Sequence, residues 1–116
     1  MPFELTEYNP HTGTLRAWVR LPLLEQGFDS TFYLLYGDLA SVPNNEPTDV
    51  WTNGFEGVWH LNGTARDSTL FARDGVQFGT TSTNGKIGTG IDFDGASYIT
   101  MGDVLDLAAD IPFTAW

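Results

Sequence analysis

Alternating apolar and polar residues run through most of the chain, and turn residues interrupt them about every ten positions. Residues 3–8 and 14–21 both alternate with a period of two. The Asn-Pro-His-Thr-Gly sequence between them is typical of a turn, because Pro fixes one φ angle and Gly accepts a positive one. These two segments are therefore expected to pair as a hairpin. Along the second segment, one face holds Leu15, Ala17, Val19 and Leu21, and the other holds Arg16, Trp18 and Arg20.

Two further segments complete the first half of the chain. Residues 31–36 are apolar at nearly every position, which predicts a central strand that is covered on both sides. Residues 42–51 contain two prolines and show no regular period, which predicts a linker that packs through Val50 and Trp51.

A second unit is expected to begin near Asn53, and its residues 62–90 are rich in glycine, threonine, serine and asparagine. An alternating run at 90–95 ends in an Asp-Gly turn, so that 97–101 is expected to be its partner strand. Other predicted elements are strands at 57–61 and 75–78, a helical turn within 102–110 and a last strand from 113. The pattern as a whole predicts an all-β fold.

Composition narrows the function of the chain. Its 116 residues are enough for one domain, or for one and a piece of another. Acidic residues outnumber basic ones by 15 to 5, a net charge of −10 that repels nucleic acids and anionic membranes. The absence of cysteine excludes disulfides and thiolate metal sites. No apolar stretch is long enough to insert into a membrane, and the first residues do not resemble a signal peptide.

Several motifs, taken in order, resemble a junction between two families found in secreted and cell-surface proteins of bacteria and archaea. The apolar run at 32–37, the Asn-Glu-Pro at 45–47 and Val50-Trp51 are similar to the end of a small β-domain of unknown function. Six later motifs resemble the start of a laminin-G-like, concanavalin A-like jelly roll. They lie at 57–61, 67–69, 85–88, 91–95, 98–99 and 113–116.

This resemblance implies an organisation and a location. Residues 1–52 would be the C-terminal part of the small β-domain, and residues 53–116 the N-terminal part of the jelly roll. The implied fold is an antiparallel β-sandwich that is incomplete, and the abrupt apolar end at 113–116 likewise predicts a fragment. The parent protein would be extracellular or on the cell surface, with a glycan or a surface protein as partner.

Acidic residues near the end of the chain are the candidate metal ligands. Asp92, Asp94 and Asp103 lie in a stretch without lysine or arginine, and Ca²⁺ prefers carboxylate and carbonyl oxygens on Gly-rich loops. The jelly-roll resemblance also points to calcium, and Asp67 joins the set through its Asp-Ser-Thr motif. The alternative is that Asp67 and Asp94 accept backbone N–H groups in tight turns, while the other acids only solubilise loops.

Aromatic side chains are the candidate ligand-binding residues, because sugar rings stack on aromatic faces. Trp18 is placed on the polar face of its strand, where it either binds a ligand or packs between the two units. Trp59 and Tyr98 lie on predicted strands of the second unit. The alternative for Trp59, as for Trp51 and Trp116, is that it fills a core.

No complete catalytic constellation is present in the sequence. Asp92 and Asp94 would lie on one strand face, about 6 to 7 Å apart, but the acid pattern of jelly-roll glucanases is missing. His11 and His60 are assigned structural or surface roles, since no nucleophile elbow accompanies them. The sequence therefore predicts a non-catalytic module that binds glycans or partner proteins. The alternative is a structural fragment that forms homo-oligomers through open strand edges near the C-terminus.

Overall fold

The computed structural model describes residues 1–37 and 45–104, and it divides the chain into two compact units, Met1–Gly54 and Phe55–Trp116. Six strands and one short helix are formed by the described residues, so the fold is all-β as predicted. The elements are β1 Phe3–Asn9, β2 Thr14–Val19, α1 Pro47–Val50, β3 Val76–Phe78, β4 Thr81–Asn84, β5 Thr89–Asp92 and β6 Tyr98–Thr100.

The first unit is built on the predicted hairpin. β1 and β2 pair antiparallel, and the Asn9 side chain closes the turn by accepting the N–H groups of His11 and Thr12. A β-bulge lies between Leu5 and Glu7, and it changes which residues share a face. Without the bulge Glu7 would lie beside Phe3 and Leu5. With it, Glu7 lies opposite Arg16 and forms an ion pair with it.

A strap formed by residues 45–52 crosses this hairpin. The backbone N–H of Glu46 donates to the carbonyl of Phe3 (3.0 Å), and the Asn45 side chain accepts the N–H of Leu5 (2.8 Å). The strap contains α1, whose first residue is Pro47 and whose Val50 is buried. The predicted packing through Val50 is therefore confirmed. The helix itself was not predicted, although proline is favoured at the first position of a helix.

The predicted central strand at 31–36 is wrong. These residues form no strand and lie exposed, with Leu35 91% and Tyr36 93% accessible to solvent. A central strand needs a hydrogen-bonded partner on each side. In the part of the chain that the structure describes, β1 and β2 pair only with each other, and no residue pairs with 31–36.

The second unit contains one interrupted antiparallel ribbon. β4 pairs with β5 around a turn closed by the N–H of Gly85 and the carbonyl of Gly88 (2.7 Å). β3 pairs with β6 outside this inner pair. The predicted hairpin between 90–95 and 97–101 is therefore wrong, although both strands exist. The turn after β5 is present, but it does not join two paired strands. It interrupts the ribbon, because five residues (93–97) on one side face two residues (79–80) on the other.

Residues 57–61 form a single antiparallel bridge, between Trp59 and Asp67, rather than the predicted strand. A jelly-roll sandwich would need more strands in each sheet than the pairs seen among residues 1–37 and 45–104. The predicted strand from 113, Trp116 and the part of the predicted helical turn beyond residue 104 lie outside the described residues.

Candidate functional site

Asp67 is the most buried charged residue among the described residues of the second unit, with only 4% of its surface exposed. Its Oδ1 accepts the backbone N–H groups of Val58 and Thr69, both at 2.9 Å. Its Oδ2 accepts the Thr69 hydroxyl at 2.8 Å and the backbone N–H of Arg73 at 3.0 Å. We call Val58, Asp67, Thr69 and Arg73 the Asp67 cluster. The carboxylate thus holds three separate stretches of backbone together.

Further contacts tighten the same region. The Asp67 N–H donates to the Asp74 carboxylate (2.9 Å), and the Ser68 N–H donates to the carbonyl of Val58 (2.9 Å). The motifs at 57–61 and 67–69 are therefore neighbours in space. The Arg73 guanidinium contacts Glu56 (3.0 Å) and lies over the ring of Phe71, 4.4 Å from its centroid. These contacts favour the turn interpretation of Asp67 over that of a metal ligand, since four donors already share its two oxygens.

Trp59 serves this region as a packing residue. Its indole N–H donates to the carbonyl of Arg73 (2.8 Å), and its ring lies directly over Gly57. A Cβ atom at position 57 would be only 2.2 Å from the ring. One face of the indole is therefore covered by the chain itself, as the core alternative for Trp59 predicts.

The Asp67 carboxylate is held in its ionised form. Burial alone would raise the pKa of Asp67, but the hydrogen bonds from Val58, Thr69 and Arg73 outweigh it and lower that pKa below its ordinary value of 3.8. The folded-state pKa is thus below the unfolded one. The ionised group stabilises the fold above the unfolded pKa, and this stabilisation is lost as pH falls through the folded pKa.

We therefore expect the second unit to lose stability on acidification below about pH 4. Urea unfolding followed by circular dichroism, from about pH 6 down to about pH 2, measures the effect. The variant Asp67→Asn should show a flatter pH profile than the wild type. Asp92→Asn, which removes the same charge at an exposed position, should keep the wild-type profile. Equal flattening in both variants would contradict the assignment.

The remaining predicted metal ligands lie on or next to the ribbon. Asp94 stands in the turn before β6, where its Oδ1 accepts the N–H groups of Ala96 (2.9 Å) and Ser97 (2.8 Å). These hydrogen bonds lower the pKa of Asp94. Asp92 ends β5 and is exposed, and Asp103 is exposed beyond β6. Within residues 1–37 and 45–104, no three acidic or histidine side chains are grouped as a metal ion would require.

Tyr98 lies opposite Phe78 in the β3–β6 pair, and the two rings stack with centroids 4.8 Å apart and planes inclined by 19°. Both are largely accessible, Tyr98 at 55% and Phe78 at 43%. Val76 is also exposed, and it shares their strand face because it lies two residues before Phe78. We call Val76, Phe78 and Tyr98 the aromatic face.

Trp18 belongs to the first unit and contacts the strap. Its ring lies 5.3 Å from that of Trp51, at an angle of 59°. The Trp51 indole N–H donates to the carboxylate of Glu4 (2.6 Å), which is the strand neighbour of Trp18 and is only 7% exposed. The polar face of the hairpin is thus the face that the strap covers. In these contacts Trp18 packs within its own unit, whereas the predicted packing alternative placed it between the two units.

No family model, curated protein or solved structure matches this chain. Among the described residues, no helix has the length and apolar character needed to cross a membrane.

Of the predicted site residues, Trp59 and Asp67 lie together in the bridge, while Asp92, Asp94 and Tyr98 lie along the ribbon. Trp18 lies in the other unit. Sequence reasoning missed Arg73 and Phe78. Arg73 acts partly through its backbone N–H, which leaves no signal in the sequence. Phe78 was placed on a predicted strand, but its pairing with Tyr98 depends on a register that alternation alone does not fix.

Proposed function

We propose that the chain is a non-catalytic β-module of a secreted or surface protein, built on a jelly-roll, concanavalin A-like plan, and that it binds glycans. The observation that supports this proposal is the aromatic face. Two stacked, exposed rings beside an exposed valine form an apolar surface on a strand pair, the kind of surface on which the C–H face of a sugar stacks.

The charge of the chain narrows the class of glycan. Its net charge of −10 opposes binding of sialylated, sulfated or uronic acid-rich chains. The exposed hydroxyl of Thr100, which shares the strand face of Tyr98 and lies opposite Val76, offers a hydrogen bond to a sugar hydroxyl. A neutral glycan is therefore the proposed ligand.

Binding of the full chain to an array of neutral and anionic glycans tests this proposal. We expect a signal on neutral glycans, and Tyr98→Ala should weaken it by about fivefold, since stacking of a sugar on one aromatic ring contributes about 1 kcal/mol. Tyr8→Ala removes an exposed tyrosine of the first unit and is the matched control. Silence of the wild type on all glycans, or equal losses in both variants, would refute the proposal.

The same experiment also tests for calcium, because the predicted calcium ligands Asp67, Asp92, Asp94 and Asp103 remain predictions. A signal that disappears in EDTA and returns with excess Ca²⁺ supports a calcium-dependent module. A signal unchanged by EDTA removes calcium from the proposal and leaves the aromatic face in it.

A second candidate function is assembly with other copies of the chain, and a specific observation favours it. Every strand in the described part of the chain has one ladder partner, since each sheet has two strands. Two-stranded sheets are marginally stable alone, and open strand edges pair readily with other chains.

A further inference from the structure

The segment 31–36, with the sequence Thr-Phe-Tyr-Leu-Leu-Tyr, is the longest continuous exposed apolar run in residues 1–37 and 45–104. It contains no charge, glycine or proline, and its aromatic residues favour extended structure. No other described residue makes a hydrogen bond or ring contact with it. With respect to residues 1–37 and 45–104, its backbone and side chains are therefore both available to a partner.

The first unit has one strand edge suited to such a segment. The outer edge of β1 is already engaged by the strap, through Glu46 to Phe3 and Asn45 to Leu5. β2 pairs with β1 on one side, and no described residue forms a ladder with its other side. β2 has six residues, the same length as the segment. Leu15 and Ala17 lie exposed on one face of β2. Alternate apolar residues of an added strand would lie beside them and enlarge this apolar surface.

Charge favours this edge over pairing of the segment with itself. The segment is flanked by Asp29 and Asp38, whereas β2 and the residue after it carry Arg16 and Arg20 and no acid. Two antiparallel copies of 31–36 would bring Asp29 of one chain near Asp38 of the other, and like charges at such positions are destabilising. In an antiparallel pairing that sets Leu34 opposite Ala17, Asp29 lies two positions from the residue that faces Arg20. No acidic residue of β2 faces Asp29 or Asp38 in this register.

We propose that residues 31–36 of one chain add as a strand to the outer edge of β2 in a second copy of the same chain. Each copy carries both the segment and the edge, so a two-fold exchange satisfies both and closes the assembly as a dimer. This inference rests on the second candidate function, assembly, and names the surface that carries it.

Disulfide trapping tests the proposed pairing in the full chain, which has no cysteine of its own. A Leu34→Cys chain is mixed with an isotope-labelled Ala17→Cys chain and oxidised, and the products are identified by mass. We expect the mixed 34–17 product to exceed, by about tenfold, the product of Ala17→Cys with Leu24→Cys. Leu24 is the matched control because it is an exposed leucine of the same unit.

Sedimentation equilibrium of the wild type and of Tyr33→Lys with Leu35→Lys supplies the second readout. The double variant should raise the dimer dissociation constant by about tenfold or more, while the amide shifts of β1 and β2 at low concentration stay unchanged. A wild type that is monomeric at all concentrations overturns this inference and the assembly function together. A dimer that resists the lysines, or that traps mainly as 34–34, overturns this inference and leaves assembly intact.

Discussion

Replacing Asp67 with alanine is expected to release the backbone that the Asp67 cluster holds, at a cost of about 3 to 4 kcal/mol. The variant removes the acceptor of four hydrogen bonds and leaves the N–H groups of Val58, Thr69 and Arg73 without it. A hydrogen bond to a charged group contributes about 1.5 to 3 kcal/mol, and neighbouring losses do not add. Amide hydrogen exchange measures the result, as a loss of protection at these three residues.

The same exchange experiment contains its own reference. Leu5 and Glu46 donate backbone hydrogen bonds in the other unit, and their protection should not change. Asp92→Ala removes a carboxylate that is exposed, and it should leave the protection of Val58, Thr69 and Arg73 as in the wild type. If Asp67→Ala also leaves it unchanged, the carboxylate does not organise this region.

Gly57→Ala is the second substitution with a large expected effect. The new Cβ would lie 2.2, 2.6 and 2.8 Å from three carbons of the Trp59 ring, which is closer than van der Waals contact allows. The ring must move, and the hydrogen bond from its N–H to the carbonyl of Arg73 is then lost. Overpacking of this kind costs about 1 to 3 kcal/mol. Urea unfolding followed by circular dichroism gives the change in free energy.

A double-mutant cycle distinguishes steric conflict from a general intolerance of alanine at position 57. Trp59→Leu removes the ring that the new methyl group would strike. In that background Gly57→Ala should cost little, so that the two changes are less harmful together than their sum. Strictly additive effects would contradict the packing of Trp59 over Gly57.

The hairpin of the first unit was predictable because its determinants are local. Alternation and the turn chemistry at Asn9 and Gly13 place both strands within a few residues of each other in sequence. The bulge at Thr6 was not predictable, since one inserted residue leaves no compositional trace. The prediction of a central strand at 31–36 failed because apolar residues on both faces favour burial only where partner strands can pair on each side.

The site was predictable only where one motif supplies its own partners. The Asp-Ser-Thr motif indicates the hydrogen bonds of Asp67 with Thr69, two residues away. The bonds from Val58 and Arg73 depend on how the chain returns, which the motif does not specify. Likewise, Tyr98 was expected to pair with 90–95. The turn at Asp94 instead widens the ribbon and sends β6 to β3, which creates the stack with Phe78.

The contacts around Asp67 span short distances along the chain, and this sets the order in which the two units can close. The hydrogen bonds described above for that region reach at most 17 residues along the chain, from Glu56 to Arg73. In the first unit the strap reaches back 47 residues, from Trp51 to Glu4. Short loops close with less loss of chain entropy and sooner than long ones. Residues 56–75 are thus placed to act as an early folding nucleus, while the strap docks late.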